Sequence, residues 1–473
     1  MIKFMNLVKN EYIKIFRRVS TWILIILVAL AAIGFNSMLK IGQVYSERSS
    51  DSYYSDPKNA IQDMKNEINY LKQEKADGYE IDIERCNFMI DHKISYRDWR
   101  YDDISTLFEK KKSLFLAKSA GEITDQYSDE EKQIQNQLDM LSNNNWKAYY
   151  TLKVNTVKSD TMLSAEEKEA HAYAYRFMLD NDISPESNNW QVSLANIIMQ
   201  RKIELISMGA DQELSDEQLQ AKQDLKDDIL IDEYRLKNDI ASAPENTGLN
   251  NLNEINFWSV LGLSTLMINV ISLAIIIIAG ASIANEFSSG TIKFLLINPV
   301  KRSKIFLSKD VMILTLSVLL ILGFYVVNVL CAGILFGFDS ITSPYLYAVD
   351  GAIHQMPGLS FVLWKYLLGS VNLIVMGTLA FAISSLLRNA ALAIGVSVFA
   401  LLGGNIIMSI LGGMLKFDWA RFLIFANVDL NAIIEGNTMF QGMTVGFSLA
   451  VIAVHMVVFF LTAWDGFMHR ESI

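Results

Sequence analysis

The sequence predicts an all-α membrane protein, a six-helix transmembrane domain with one inserted, mostly helical outer domain. Three observations predict it. First, six charge-free runs each exceed 20 residues: 19–39, 255–285, 311–338, 366–387, 389–415 and 436–464. A helix needs about 20 apolar residues to cross a hydrocarbon layer of roughly 30 Å, and long unbroken runs of this kind are helical. Second, residues 42–256 carry 25 Lys/Arg against 41 Asp/Glu, while the remainder is mildly basic. An acidic block is thus set into a membrane protein. Third, that block carries helix-start signals and little of the β-branched alternation that strands need.

Taken in order, residues 1–18 form an interfacial N-terminal helix. Met1, Phe4, Met5, Val8, Tyr12, Ile15 and Phe16 share one face at 100° per residue, with Lys3, Asn6, Asn10, Lys14 and Arg17 opposite. The first span, 19–41, is too long for a signal peptide core and is expected to stay uncleaved. Lys3, Lys9, Lys14, Arg17 and Arg18 precede it, and Lys293, Lys301, Arg302, Lys304 and Lys309 lie between the second and third runs. Arg388 and Arg470 continue the pattern. Positive charge marks the cytoplasmic side, so both termini are expected in the cytoplasm and residues 42–256 outside. Spans 2–6 occupy 257–464, with a loop at 286–309, and 465–473 form a tail.

Within the outer block, Asp56-Pro57 and Ser184-Pro185 read as a cap followed by proline at the first helical position. Ser128…Glu131, Ser164…Glu167 and Ser215…Gln218 have capping-box spacing. Ile61, Met64, Ile68 and Leu71 share one helical face, and Leu219, Leu225, Ile229 and Leu236 lie on another helical stretch. An antiparallel helical bundle is expected, with Pro244, Gly248 and Asn250 in the linker back to the membrane. Cys86 lies in this block and Cys331 in a span, so no disulfide is expected. Glu167 and His171 have i,i+4 spacing, but zinc needs two more ligands, and a solvated helix face is the better reading. Asp180-Asn181-Asp182 reads as a turn. Trp99, Trp146, Tyr149, Tyr150, Tyr173 and Tyr175 read mostly as core. The acidic field favours cationic partners.

The loop after the second run combines a glycine at 290, a compact apolar set at Ile292, Leu295 and Leu296, a stop at Pro299, and the cations Arg302 and Lys304. This describes a short amphipathic helix that offers an apolar knob to a cytosolic partner. Glu286, Gly290, Thr291, Leu295, Leu296, Pro299, Arg302 and Lys309 stand in the order Glu-x-x-x-Gly-Thr, Leu-Leu, Pro, Arg, Lys. In these residues the chain closely resembles the permease subunits of type-2 ABC exporters, which carry that pattern in the same loop. The resemblance covers the N-terminal helix and the six spans, and does not extend to the outer block. It implies a six-helix transmembrane domain of type-2 ABC exporter kind. It also implies a cytosolic ABC ATPase subunit that grips the loop as a coupling helix, and a second permease chain, in a homo- or heterodimer. ATP and Mg are then expected on the partner ATPase, because this chain lacks a Gly-x-x-x-x-Gly-Lys-Ser/Thr phosphate cradle. No cofactor, metal or catalytic residue is expected on this chain, and membrane lipids but no nucleic acid among its partners.

Inside the membrane, Asn269, Asn328, Asn372 and Asn405 are expected to make interhelical hydrogen bonds first, with pathway lining second. Gly404 and Gly412 share a face of span 5, and in the resembled family spans 2 and 5 line the dimer interface and the path. The same stripe would equally suit packing within one subunit. His455 in span 6 reads as a packing residue rather than a proton relay, and Lys365 as a snorkelling cation. The runs contain no acid, which speaks against ion-coupled transport. The expected function is ATP-driven export of an amphipathic or peptide-like substrate, as in antimicrobial peptide resistance. The alternatives are a receptor or secretion scaffold without an ATPase, and an ATP-driven sodium efflux permease.

Overall fold

The computed structural model describes residues 2–46, 52–121, 125–186, 189–211, 214–244, 255–289 and 300–468. Two compact units divide the chain. The first holds residues 1–41, 242–345 and 356–473, and the second holds residues 42–241 together with 346–355.

In the first unit, six helices are long and apolar enough to cross a membrane: Val19–Tyr45, Phe257–Ser288, Arg302–Phe336, Gly358–Leu387, Ala390–Met414 and Val445–Met468. We number them spans 1 to 6. Spans 2 and 4 are the most enclosed and form the centre. Small residues permit their close approach: a Cβ on Gly377 would lie 2.7 Å from Ile275, and one on Gly280 2.9 Å from Ile394 of span 5. Ile271, Ile275, Ala279, Leu373 and Ala380 fill the seam and are fully buried. Phe306 at the start of span 3 sits among Phe381, Phe460, Trp464 and Phe467, at centroid distances of 5.2–5.7 Å. This aromatic knot ties spans 3, 4 and 6 together at the end of the bundle that carries Arg302, Lys304 and Arg388.

Span 2 is broken. An α-helical turn pair, Phe257–Leu263, runs into a tighter 3₁₀ segment, Ser264–Met267, before the long helix Ile268–Ser288. Asn256 starts it by accepting the N–H groups of Trp258 and Ser259, while Ser259 Oγ accepts the Asn256 N–H. Span 4 ends on Arg388 in the left-handed region (φ 53°), and Asn389 caps span 5 at the Leu392 N–H. Span 5 closes in a wide π-type turn, Ser409–Met414.

Among the described residues, one element departs from an all-α fold. Strands Pro344–Val349 (β1) and Ala352–Pro357 (β2) pair as a hairpin between spans 3 and 4. Its turn, Asp350-Gly351, has both residues at positive φ (51° and 75°), the geometry whose twist matches that of the flanking strands. Residues 346–355 of this hairpin belong to the second unit.

The second unit is a run of helices, each packed on the next in sequence from Pro57–Glu74 to Asp216–Lys237. Met64, Ile68, Cys86, Met89, Ile104, Phe108, Leu138, Tyr149, Met178 and Ile198 build its core. The expected caps form at Asp56, which accepts the Lys58 N–H ahead of Pro57, and as full capping boxes at Ser164/Glu167 and Ser215/Gln218. Two expected caps do not form. Ser128 lies inside the helix Asp125–Ser142. Ser184-Pro185 sits in a turn, and the next helix is capped by Asn189, which accepts the Gln191 N–H. Burial pushes the Cys86 thiol up to about 11, with the nearby Glu67 carboxylate adding to it, so this cysteine is a core residue rather than a nucleophile.

Candidate functional site

The feature of the first unit that packing alone does not account for is a cluster of four charges. The N-terminal helix Ile2–Phe16 turns Val8, Glu11, Tyr12 and Ile15 toward span 3 and leaves Met5, Lys9, Asn10, Ile13, Arg17 and Arg18 exposed. Of the expected apolar stripe, Phe4, Val8, Tyr12, Ile15 and Phe16 are buried or half-buried. Met5 faces outward, and an acid, Glu11, takes a place on the buried side.

Glu11 is there because a cation waits for it. Lys309 Nζ, in the second turn of span 3, donates to Glu11 Oε2 at 2.7 Å and to Glu286 Oε1 at 2.7 Å. Glu286 comes from the last turn of span 2. Lys14, one turn beyond Glu11, donates to Glu11 Oε1 at 2.9 Å and to Glu286 Oε1 at 3.3 Å. The Lys309 side chain is 2% exposed and the two glutamates 8% and 9%, whereas Lys14 is 42% exposed. Two acids meet two cations, so the cluster is neutral. That balance lets the charges leave water, since an unpaired buried charge costs several kcal/mol. Burial by itself would raise the Glu11 carboxyl, but Lys309 and Lys14 outweigh it and hold it below its ordinary value. For Lys14, burial works downward, but Glu286 and Glu11 outweigh it and raise the ammonium above the usual lysine range.

Further bonds secure the same end. Tyr12 Oη lies 2.6 Å from Thr315 Oγ1, a second tie between the N-terminal helix and span 3. Trp22 Nε1 donates to the Phe16 carbonyl at 2.8 Å and pins the elbow into span 1. The Ala284 N–H donates to Ser384 Oγ, and the Arg388 guanidinium lies 4.2 Å from the centre of the Phe287 ring, joining the ends of spans 2 and 4. Deeper in the bundle, Asn36 Nδ2 donates to Asn328 Oδ1 at 2.8 Å, both residues fully buried, which ties span 1 to span 3.

Of the loop residues singled out from sequence, Glu286 lies in this cluster and Arg302 begins span 3. Gly290, Thr291, Leu295, Leu296 and Pro299 lie outside the described residues. Glu286 and Lys309 thus close the two ends of the segment that holds them. Asn269 is exposed and accepts from Asn372 Nδ2 at 3.4 Å, across spans 2 and 4. Asn405 is exposed on span 5. Gly404 and Gly412 face residues of their own chain: an added Cβ would lie 2.5 Å from Phe425 and 2.8 Å from Phe440. His455 Nδ1 lies 2.9 Å from the Val451 carbonyl of its own helix, and Lys365 pairs with Glu435 at 2.9 Å.

The reading that the spans hold no acid is corrected. Glu286 in span 2 and Asp310 in span 3 are buried, and Glu11, on the N-terminal helix outside the spans, is buried as well. The physical reason is that helices outrun charge-free runs. Glu286 follows the run ending at 285, and Lys309 and Asp310 precede the one starting at 311, yet each lies within a continuous helix. Glu11 gave a weaker signal, a lone acid among five cations with Lys14 three residues on.

These observations define a multi-pass helical membrane protein whose N-terminal helix is docked on its own bundle. Comparison with known proteins places it further. Residues 239–473 match a family described as "Protein of unknown function (DUF2705)". The chain is 33% identical over 272 residues to the uncharacterized protein YhcI of Bacillus subtilis strain 168, which covers 55% of this chain and 83% of that protein. It is also 33% identical over 199 residues to the uncharacterized membrane protein YdbK of the same organism, covering 41% of this chain and 75% of that one. The chain belongs to the family of YhcI. The family match begins at residue 239, just before the second unit's main segment ends, and takes in spans 2 to 6.

Proposed function

We propose that this chain is the permease subunit of an ATP-driven ABC exporter, acting from a bacterial plasma membrane with both termini in the cytoplasm and residues 42–256 outside. The observation that carries the proposal is the segment from Glu286 to Lys309. Its sequence follows the coupling-loop order, and its two ends are bonded to each other and to the N-terminal helix through one buried ammonium. A loop that transmits force needs ends that do not yield, and a charge cluster shut away from water supplies them. The charge bias supports the orientation, since Lys9, Lys14, Arg17, Arg18, Arg302, Lys304 and Arg388 all lie at that end. A separate ATPase carries ATP and Mg, and a second permease chain completes the unit. The substrate is amphipathic or peptide-like, and the acidic outer domain suits a cationic one.

Affinity purification of the tagged full chain in mild detergent tests this. An ATPase subunit co-purifies with the parent chain and is lost from the variant Leu295→Asp/Leu296→Asp, while both chains insert equally. No ATPase with the parent, or equal recovery with the variant, sinks the coupling-loop reading. The buried acids reopen ion movement as a second reading, so sodium flux in vesicles belongs beside peptide resistance as a readout.

A further inference from the structure

We infer that Lys309 is a clasp: its single ammonium holds the N-terminal helix onto the joined ends of spans 2 and 3, against a second, undocked position of that helix. The inference goes beyond the transport reading and does not need it.

Three features of the structure carry it. The first is the sharing. Glu11 and Glu286 each take a bond from the same Nζ, so the N-terminal helix and the end of span 2 are held by one group on span 3. Removing that group takes the buried cation away from two buried carboxylates, both of which Lys14 also contacts. The second is how much of the helix's polar attachment runs through that group. Among the described residues, Val8, Tyr12, Ile15 and Phe16 pack on the bundle core, and the side-chain bonds to span 3 are those from Lys309 and the one between Tyr12 and Thr315. The third is that the helix has somewhere else to go. Met5 is 63% exposed and Ile13 40%, alongside Lys9, Lys14, Arg17 and Arg18. An apolar and cationic face of that kind lies well on an anionic membrane surface. Two residues, Arg17 and Arg18, separate the helix from span 1, and Trp22 holds that elbow at the Phe16 carbonyl, so the helix would turn about it on undocking. A helix with two favourable positions settles according to the difference between them, and here the buried ammonium supplies that difference.

The test is labelling of the full chain in lipid nanodiscs, whose two faces are both open to reagent, so that neither orientation nor an ATPase enters. Cys86 and Cys331 are replaced by serine, and Ile15→Cys, buried toward the bundle, is the reporter for a membrane-impermeant maleimide. In the parent the reporter labels slowly. Lys309→Met raises the rate by about tenfold or more, and Glu11→Gln, which keeps the Lys309–Glu286 pair, by about twofold to fivefold. Labelling in Glu11→Gln equal to that of the parent overturns the clasp, whether or not the Lys309 variant inserts. If the clasp holds while no ATPase ever co-purifies, the joint stands and the exporter reading falls.

Discussion

Ion pairs populate both units of this molecule, and what surrounds them sets their worth. In the membrane unit, Lys309 meets Glu11 and Glu286 with 2–9% of any side chain exposed. In the inserted domain, Lys132 and Asp129 stand 3.4 Å apart with side chains 75% and 74% exposed. The charges are chemically alike. In the first case water and salt cannot replace a lost partner, while in the second they replace it at once. The inserted domain can therefore carry its large acidic excess as loosely held surface charge around an apolar core. The membrane unit concentrates its few buried charges where three helical segments meet.

This contrast can be broken or sharpened in order of effect. Lys309→Met should destabilise the membrane unit by about 3–5 kcal/mol, because it takes away the buried cation that two buried carboxylates share and leaves an uncompensated charge, and the thermal midpoint of the detergent-purified chain reports it. An unchanged midpoint would remove the distinction between the two kinds of pair. Asn328→Leu takes away the acceptor for Asn36 and should cost about 0.6–2 kcal/mol by the same assay. In the inserted domain, Ser164→Ala removes a capping box and should cost about 1 kcal/mol, read by unfolding of that domain.

The Glu11 carboxyl gives a pH signature. Its folded value is depressed below 4.5, so its contribution is present above that ordinary value and is lost as pH falls through the lower folded one. The stability gap between parent and Glu11→Gln should accordingly hold from pH 5 to 8 and close in stronger acid. Lys14 works in the other direction. Raised above 10.5, it contributes below that value and gives way only as pH climbs past it, so it does not distort the acid limb. Smallest of all, Lys132→Ala should leave the melting curve unchanged, since an exposed pair of this geometry contributes nothing measurable.

Much of the architecture was readable along the chain, for local reasons. Length and continuity of apolar runs locate all six spans, because a helix in hydrocarbon must satisfy its own backbone. Asp56-Pro57, Ser164…Glu167 and Ser215…Gln218 mark helix starts, because a cap acts within four residues. The hairpin is equally local: Asp350-Gly351 between Tyr347 and Ile353 is a two-residue turn signal flanked by strand formers. Asn269, Asn328 and Asn372 were recognisable as bonding groups, though the partner of Asn328, Asn36, stands 292 residues away.

By itself, then, the order of residues determined which stretches cross the membrane, where an acidic helical domain interrupts them, and which turns start and stop the helices. Each of those follows from forces that act over a few residues. Only the tertiary structure decided that Glu11, an apparent exception on a basic helix, belongs with Glu286 and Lys309, which lie 275 and 298 residues further on. Nothing near Glu11 in the chain distinguishes a solvated acid from a buried one. That difference is made by the exclusion of water, and water is excluded only when distant segments pack.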